Sequence, residues 1–317
     1  MKILLIGYNR IGDTILSTGL ISYLIKKYEN ASFSLITSSI SASIFKDMPK
    51  LDKIIIVNKK KYAGHWFKIW NECKAEQWDL IIDLRSSYLS YFLKSKKRII
   101  IKGNKKNHIL DQLGALIESD HTLKTHIWAK EENYLDLILN KGLEKKYICI
   151  APISNSVVKD WSIEKYIRLF NNKLFADFQI VIVGATSNDS NEENQRDKRN
   201  INRLISNISP RVLNLINNAD MIETYFILKK AHLFVGSDSS NMHLAVTASI
   251  PTIGLFGPTD EKLYGPLGKN NLSLRGDKSF SEVINQLDYK SGKIKSYLDD
   301  LSVTKVNKEI EKVLYNK

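Results

Sequence analysis

Cysteine is nearly absent from this chain of 317 residues: Cys73 and Cys149 stand far apart, with no CxxC spacing and no paired histidine. That excludes a disulfide framework and a zinc site built on thiolates, and it fits a reducing compartment. No run of about 18 apolar residues occurs, so no segment reads as a membrane span. The opening MKILLIGYNRIGD has an apolar stretch too short for the core of a secretory signal and breaks at Asn9, Arg10 and Asp13, so a cytoplasmic location is expected. Fixed-period repeats and low-complexity tracts are also missing. Acidic residues are in deficit, 34 Asp and Glu against 47 Lys and Arg, leaving a formal charge of +13. Such a balance favours an anionic partner: nucleic acid, a membrane surface, or a phosphorylated or acidic substrate. A lysine-rich solvated surface is the plainer account of the same charge.

What is present is core material, with 43% hydrophobic and 26% charged residues. The length exceeds what one hydrophobic core fills, so two domains are expected. Short runs rich in Ile, Leu and Val recur at 2–7, 33–38, 53–57, 79–84 and 98–101. Apolar on both faces, they read as buried parallel strands. Between the first two, Ile15, Leu16, Leu20, Ile21, Leu24 and Ile25 keep helical spacing, which makes a βαβ start. The pattern resets at YICIAPIS (147–154) and continues through 179–185, 212–216, 232–237, 251–257 and 271–276. The expected fold is therefore α/β, with two facing Rossmann-like domains at 1–145 and 146–317, and a last helix, VNKEIEKVLYNK, able to pack on either. Ligands of such sheets bind beyond the carboxyl ends of the strands.

Three segments follow strands with unusual residue choices. GYNRIGDT (7–14) has the glycine spacing of a phosphate-binding loop, but Asp13 stands where that loop needs a lysine. A carboxylate there either serves the start of a helix, through capping and the dipole, or does chemistry. In SNSVVKDWS, Lys159 stands beside Ser154, Asn155 and Ser156; its ammonium suits a diphosphate, although loop lysines commonly face solvent. In FVGSDSSNMHLAV, Asp238, Ser239, Ser240 and Asn241 lie at the mouth of a helix whose free N–H groups favour an anion, with His243 one turn further in. Ser239 and Ser240 also read as ordinary caps, and His243 as a packed core histidine.

The order of GD in the first loop, SNxxxKxW at the start of the second half, and DSSxMHLAxxxxxPxxxLFGPTD near residue 250 resembles the ADP-heptose:lipopolysaccharide heptosyltransferase family, glycosyltransferase family 9. The likeness spans roughly residues 1 to 270. It implies a GT-B-type architecture, an ADP-heptose co-substrate with no cofactor, and inverting transfer to a lipopolysaccharide inner core without a metal. The chain has no Asp-x-Asp pair of the kind that holds a cation under a diphosphate. By resemblance Asp13 is the general base and Lys159 the phosphate contact. The donor site takes in Ser154, Asn155, Asp238, Ser239, Ser240 and His243, with Glu192 or Glu193 as candidates for the ribose. Departures stand beside these matches: Asp238-Ser239-Ser240 replaces Asp-Ser-Gly, and Lys159-Asp160-Trp161-Ser162 replaces Lys-Arg-Trp-Pro, setting a carboxylate next to the phosphate lysine.

The positive charge clusters in the first half, at Lys59, Lys60 and Lys61 and along KSKKRIIIKGNKK (94–106). Lys97, Arg98 and Lys102 of that strip are, with the triple lysine, candidates for binding a phosphorylated or acidic glycolipid acceptor. The family's acceptor implies peripheral contact with the anionic inner face of the inner membrane. A related transferase using another nucleotide sugar, or a protein or other glycan as acceptor, is the nearest alternative. A non-catalytic nucleic-acid or nucleotide-binding protein is the alternative of another class; against it, residues 94–106 hold no aromatic and no recognition module is evident.

Overall fold

The structure, a computed structural model, describes residues 1–57, 64–103, 106–186, 191–286 and 296–315. The chain divides into two units, Met1–Lys130 and Glu131–Lys317. The triple lysine at 59–61 lies outside the described residues.

The first unit runs β1 (Lys2–Ile6), α1 (Ile11–Lys27), β2 (Ser32–Thr37), β3 (Leu51–Ile56), α2 (Gly64–Cys73), β4 (Trp78–Asp83), β5 (Ser95–Ile100) and α3 (Ile109–Leu116). Its strands form one parallel sheet in the order β3-β2-β1-β4-β5. The central strand is apolar because helices cover both of its faces: Ile3, Leu4, Leu5 and Ile6 are all buried. At the edge, β5 reads SKKRII and exposes Lys96 and Lys97, charges that blunt an unpaired strand. Helix α1 buries an unbroken run from Thr14 to Ile21. Gly19 lets the segment after α3 lie directly on it, since an added Cβ would stand 3.1 Å from Leu123 Cβ and 3.2 Å from the Lys124 carbonyl. There His126 N–H donates to Thr18 Oγ1 at 2.9 Å.

The second unit runs α4 (Leu135–Leu139), β6 (Tyr147–Ala151), α5 (Ile163–Phe170), β7 (Gln179–Ile182), α6 (Glu192–Asn207), β8 (Val212–Asn214), α7 (Met221–Lys229) and β9 (Leu233–Ser237), then α8 (Ser240–Thr247), β10 (Thr252–Phe256), α9 (Glu261–Tyr264), β11 (Asn271–Arg275), α10 (Phe280–Ile284) and α11 (Val303–Tyr315). Its parallel sheet has the order β11-β10-β9-β6-β7-β8. The unit begins upstream of β6, before the strand run at which the sequence pattern resets. Glu131 pairs with Lys229 at 2.8 Å and Lys230 at 3.0 Å, and Tyr134 meets Phe226 with ring centroids 5.3 Å apart, so residues before β6 are fastened to α7. Helix α11 packs on α5 within this unit and sinks Val306 and Ile310 into its core. Among the described residues no helix is long and apolar enough to cross a membrane.

Each sheet reverses direction once. Winding proceeds outward from β1 to β2 and β3, then restarts at β4; it proceeds from β6 to β7 and β8, then restarts at β9. At such a point neighbouring connections depart to opposite faces and leave a crevice at the strands' carboxyl ends. The β1/β4 and β6/β9 junctions are therefore where ligand-binding residues are expected.

The seat of α8 beside β9 depends on a glycine. A Cβ at Gly254 of β10 would meet Met242 Sδ of α8 at 2.5 Å and Phe256 Cε2 at 2.8 Å. Gly254→Ala is expected to lower stability by about 1 to 3 kcal/mol through overpacking, read as a fall in the urea midpoint without a change in slope.

Candidate active site

The β6/β9 junction gathers two of the three segments that the sequence singles out. Beyond β6 the chain turns through Pro152 and Ile153 into a loop that ends in a single 3-10 turn, Val157–Lys159. The loop is knit by its own polar groups: Ser154 Oγ donates to the Ser156 carbonyl at 2.9 Å, and Ser156 N–H donates back to Ser154 Oγ at 3.2 Å. Asn155 is exposed. Lys159 Nζ crosses to Asp238, the residue after β9, and lies 2.9 Å from its Oδ2. His243 Nε2, on α8, is 3.6 Å from the other oxygen of the same carboxylate, and both residues are buried. The expected phosphate lysine and the expected donor-site acid are thus an ion pair spanning the switch point.

Helix α8 starts beside this pair, and its start is polar without being capped. Ser239 occupies the N-cap position in extended backbone and makes no side-chain cap bond. Its Oγ, like that of Ser237 at the end of β9, is buried with no hydrogen-bond partner. Buried hydroxyls without partners are uncommon, and the first N–H groups of a helix have no intrahelical acceptor. Lys159, two hydroxyls and the positive end of α8 make a small region rich in hydrogen-bond donors, with Asp238 balancing the ammonium.

The carboxylate of Asp160 does not pair with Lys159. It turns inward, where Ser154 N–H donates to its Oδ1 at 2.8 Å. Burial pushes its carboxyl up to about 7; the Ser154 hydrogen bonds oppose that, and the nearby Asp197 charge adds to it. Asp197 is buried and held by Arg196, at 3.1 Å from Nε and 2.7 Å from Nη2. Next to it Trp161 is fully buried against Tyr166 and donates from Nε1 to the Leu301 carbonyl at 3.0 Å. Tyr297 N–H donates to the Val158 carbonyl at 3.1 Å, and Lys165 Nζ to the carbonyls of Leu298 and Leu301 at 3.3 and 3.1 Å. In this chain Lys-Asp-Trp-Ser braces the loop from below: Asp160 fixes Ser154, Trp161 ties it to residues 297–301, and Ser162 caps α5.

The remaining expected residues are dispersed. Glu192 and Glu193 are exposed in the first turn of α6, and Glu193 stands 3.7 Å from Arg196. Asp13 is half-buried in the first turn of α1, at its third residue; the N-cap is Arg10, so Asp13 contributes to the dipole rather than occupying the cap position. Gly7, ahead of it, donates its N–H to the Ile36 carbonyl at 2.8 Å. Arg98 is engaged with backbone, donating to the carbonyls of Ser90 at 2.7 Å and Leu93 at 2.9 Å. Lys97 lines a cavity of about 460 Å³ with Met1, Tyr28 and Asp79 at the amino ends of the strands, away from the switch point. Lys102 is exposed just past β5. Among the described residues, no cluster of three or more His, Cys, Asp and Glu forms a metal-binding set.

One residue went unread in the sequence. Arg85 follows β4 at the β1/β4 junction, with its guanidinium 4.8 Å over the Trp66 ring and a buried Nη1 that has no hydrogen-bond partner. The Asp83 carboxylate accepts from the N–H groups of Arg85 at 2.9 Å and Ser87 at 2.8 Å, so it shapes the turn. Ser86 between them has a φ of 50°. The readable signal is the arginine in DLRSS, directly after a strand run.

Asp160 generates a pH test. Its carboxyl titrates near 4 when unfolded and near about 7 when folded, so in that interval the folded chain holds the extra proton. Stability therefore falls as pH rises between those values, with a slope bounded by one proton, ~1.4 kcal/mol per pH unit. Asp160→Asn keeps a carbonyl acceptor for Ser154, and the difference in melting temperature between variant and wild type should grow from about pH 5 to about pH 7.

Residues 110–288 match the model of glycosyltransferase family 9 (heptosyltransferase). A lipooligosaccharide heptosyltransferase 2 of Campylobacter jejuni is 26% identical over 286 residues, covering 86% of this chain and 86% of that protein. Among solved structures, a glycosyltransferase family 9 member from Veillonella parvula superposes with a TM-score of 0.80 at 17% identity, over 100% of this chain and 97% of the other. An Escherichia coli structure described as ADP-heptose lipopolysaccharide heptosyltransferase II gives 0.78 at 17% identity, over 100% and 99%. The superpositions establish the fold as GT-B, with two Rossmann-like domains, and the family match extends over more than half of the chain. The resemblance carried by the three loops is borne out, and the chain belongs to glycosyltransferase family 9, a family of sugar-transferring enzymes.

Proposed function

We infer that the enzyme moves a heptose from ADP-heptose to the phosphorylated or acidic inner core of lipopolysaccharide or lipooligosaccharide, inverting the anomeric carbon. The observation that supports the donor half is the Lys159–Asp238 pair at the β6/β9 junction, next to the hydroxyls of Ser237 and Ser239 that lack partners. In this reading the donor diphosphate takes up those hydroxyls, the first N–H groups of α8 and the Lys159 ammonium. Asp238 holds that ammonium in place and meets hydroxyls of the sugar, while His243 backs Asp238. Ser154 and Asn155 border the phosphates, and Glu192 or Glu193 is offered to the ribose.

Transfer is a single displacement. The acceptor oxygen forms a bond to the anomeric carbon from the side opposite the diphosphate, as the bond from that carbon to the leaving oxygen breaks. Asp13 receives the proton of the acceptor hydroxyl, whose nucleophilicity rises as the proton leaves. Charge accumulates on the departing ADP, where Lys159 and the helix terminus stabilise it more strongly than in the ground state. The acceptor carries a lipid, so the enzyme works at the anionic inner face of the inner membrane, from the cytoplasm.

Titration calorimetry with ADP, UDP and GDP tests the donor site. Lys159→Ala is expected to weaken ADP binding by about ten- to a hundredfold, the worth of a charge-assisted hydrogen bond. Because that change also leaves Asp238 unpaired, Lys159→Ala/Asp238→Asn is the control; wild-type affinity in the double variant would show that Lys159 does not touch the phosphates. Tighter binding of UDP or GDP would replace the donor, and salt-sensitive DNA binding without nucleotide binding would replace the enzyme reading. Asp13→Asn is expected to lower kcat by about a hundredfold or more with ADP affinity unchanged. Undiminished turnover in that variant assigns the base elsewhere.

A further inference from the structure

The first unit carries a group of exposed aromatic side chains that the donor site does not use. Tyr88 is 82% exposed, Phe92 73%, Phe67 67% and Tyr91 63%. They stand on two neighbouring elements, helix α2 and the 3-10 turn Tyr88–Phe92, which connects β4 to β5. In the turn, positions three apart eclipse, so Tyr88 and Tyr91 share a face while Leu89 and Ser90 are buried. In α2, Ile69 and Cys73 enter the core and Phe67 faces outward. The two elements are tied together: the Phe67 and Trp70 ring centroids are 5.8 Å apart, and Trp70 Nε1 donates to the Phe92 carbonyl at 3.2 Å.

Cations stand over one ring of the ridge and over two tryptophans beside it. Lys74 Nζ lies 4.4 Å over the Trp70 ring, Arg98 is 5.7 Å over Tyr91, and Arg85 is 4.8 Å over Trp66. Exposed Lys94 follows the turn directly, and exposed Lys96 and Lys97 lie on the next strand, where Lys96 pairs with Asp79 at 2.6 Å. Four large aromatic side chains left in water within one small region mark an interaction surface. Phenylalanine provides depth in an apolar layer, tyrosine and tryptophan prefer the level of lipid headgroups, and lysine and arginine are drawn to anionic lipid. Rings standing this far into solvent are suited to entering an interface, whereas strand-binding platforms lay bases flat along a groove.

We propose that the ridge formed by Phe67, Tyr88, Tyr91 and Phe92 docks this enzyme on an anionic phospholipid bilayer, the aromatic rings entering the headgroup layer and the flanking lysines meeting lipid phosphates. The choice of a bilayer rests on the lipid-linked acceptor proposed above. The docking surface itself is separate from the donor site, so the two are tested separately.

The test uses the full chain and two kinds of vesicle, phosphatidylcholine alone and phosphatidylcholine with one-third phosphatidylglycerol, each also prepared with brominated acyl chains. Wild type should sediment with the anionic vesicles, and its tryptophan emission should be quenched by the brominated lipid. Phe67→Ser/Tyr88→Ser/Phe92→Ser, at positions already exposed, should lose vesicle affinity by about tenfold or more while binding ADP as wild type does. Failure of wild type to sediment, equal vesicle binding by the variant, or binding without quenching would each overturn the proposal. So would a variant whose loss is confined to a single-stranded oligonucleotide. Vesicle binding lost in the variant while wild type ignores ADP would instead uphold the docking surface and sink the donor assignment.

Discussion

All strands in both sheets run parallel, and a parallel sheet can grow in two directions only by restarting beside its first strand. This constraint sets the chemistry of the second unit. The restart at β9 brings the residue after it, Asp238, beside the loop that leaves β6, and Lys159 bridges the two at 2.9 Å. Nothing local links these positions, which are 79 residues apart in sequence. The same reversal in the first unit places the turn after β4 beside the connection that leads into α1, whose first turn holds Asp13. Sequence motifs that look scattered are thus brought to the two places where such sheets have a crevice.

Charge in the second unit is arranged in two layers. At the β6/β9 junction, one carboxylate and one ammonium neutralise each other beside hydroxyls and a helix start, so these groups are already fixed in place. Beneath, Asp160 and Asp197 share a partly desolvated space with Arg196, and Asp160 holds the backbone of Ser154. The lower layer contacts no expected ligand. Its effect is geometric: it holds the loop that aims Lys159, in the way supporting hydrogen bonds orient groups that touch substrate.

The strands were legible because burial on both faces writes an uninterrupted apolar run, as in KILLIG and QIVIVGA. β5 was the weakest of them, since its edge position exposes Lys96 and Lys97. The start of the second unit was not legible as a strand run: ion pairs from Glu131 to α7 decide it, and the distance between those residues in sequence hides them. Asp160 could be read only as a neighbour of Lys159, because the direction a loop side chain takes depends on what is packed beneath it. Lys97, Arg98 and Lys102 formed one basic strip in the sequence, but Lys97 and Arg98 alternate along β5 and Lys102 lies beyond its end. YLSYF drew no attention because its pattern fits a buried segment; only the 3-10 turn shows that Leu89 and Ser90 turn inward and all three aromatics face water.

The contacts between residues 158–165 and residues 296–301 have a consequence for how the protein is made. Trp161 and Lys165, at the beginning of the second unit, are satisfied by carbonyls that follow them in the chain by well over a hundred positions. A ribosome delivers the first unit whole, and its sheet can close while synthesis continues. The loop after β6 cannot reach its final form until residues beyond 300 have cleared the exit tunnel. During that interval the nascent chain carries a folded first unit, aromatic ridge included, ahead of a second unit whose β6/β9 crevice is still open.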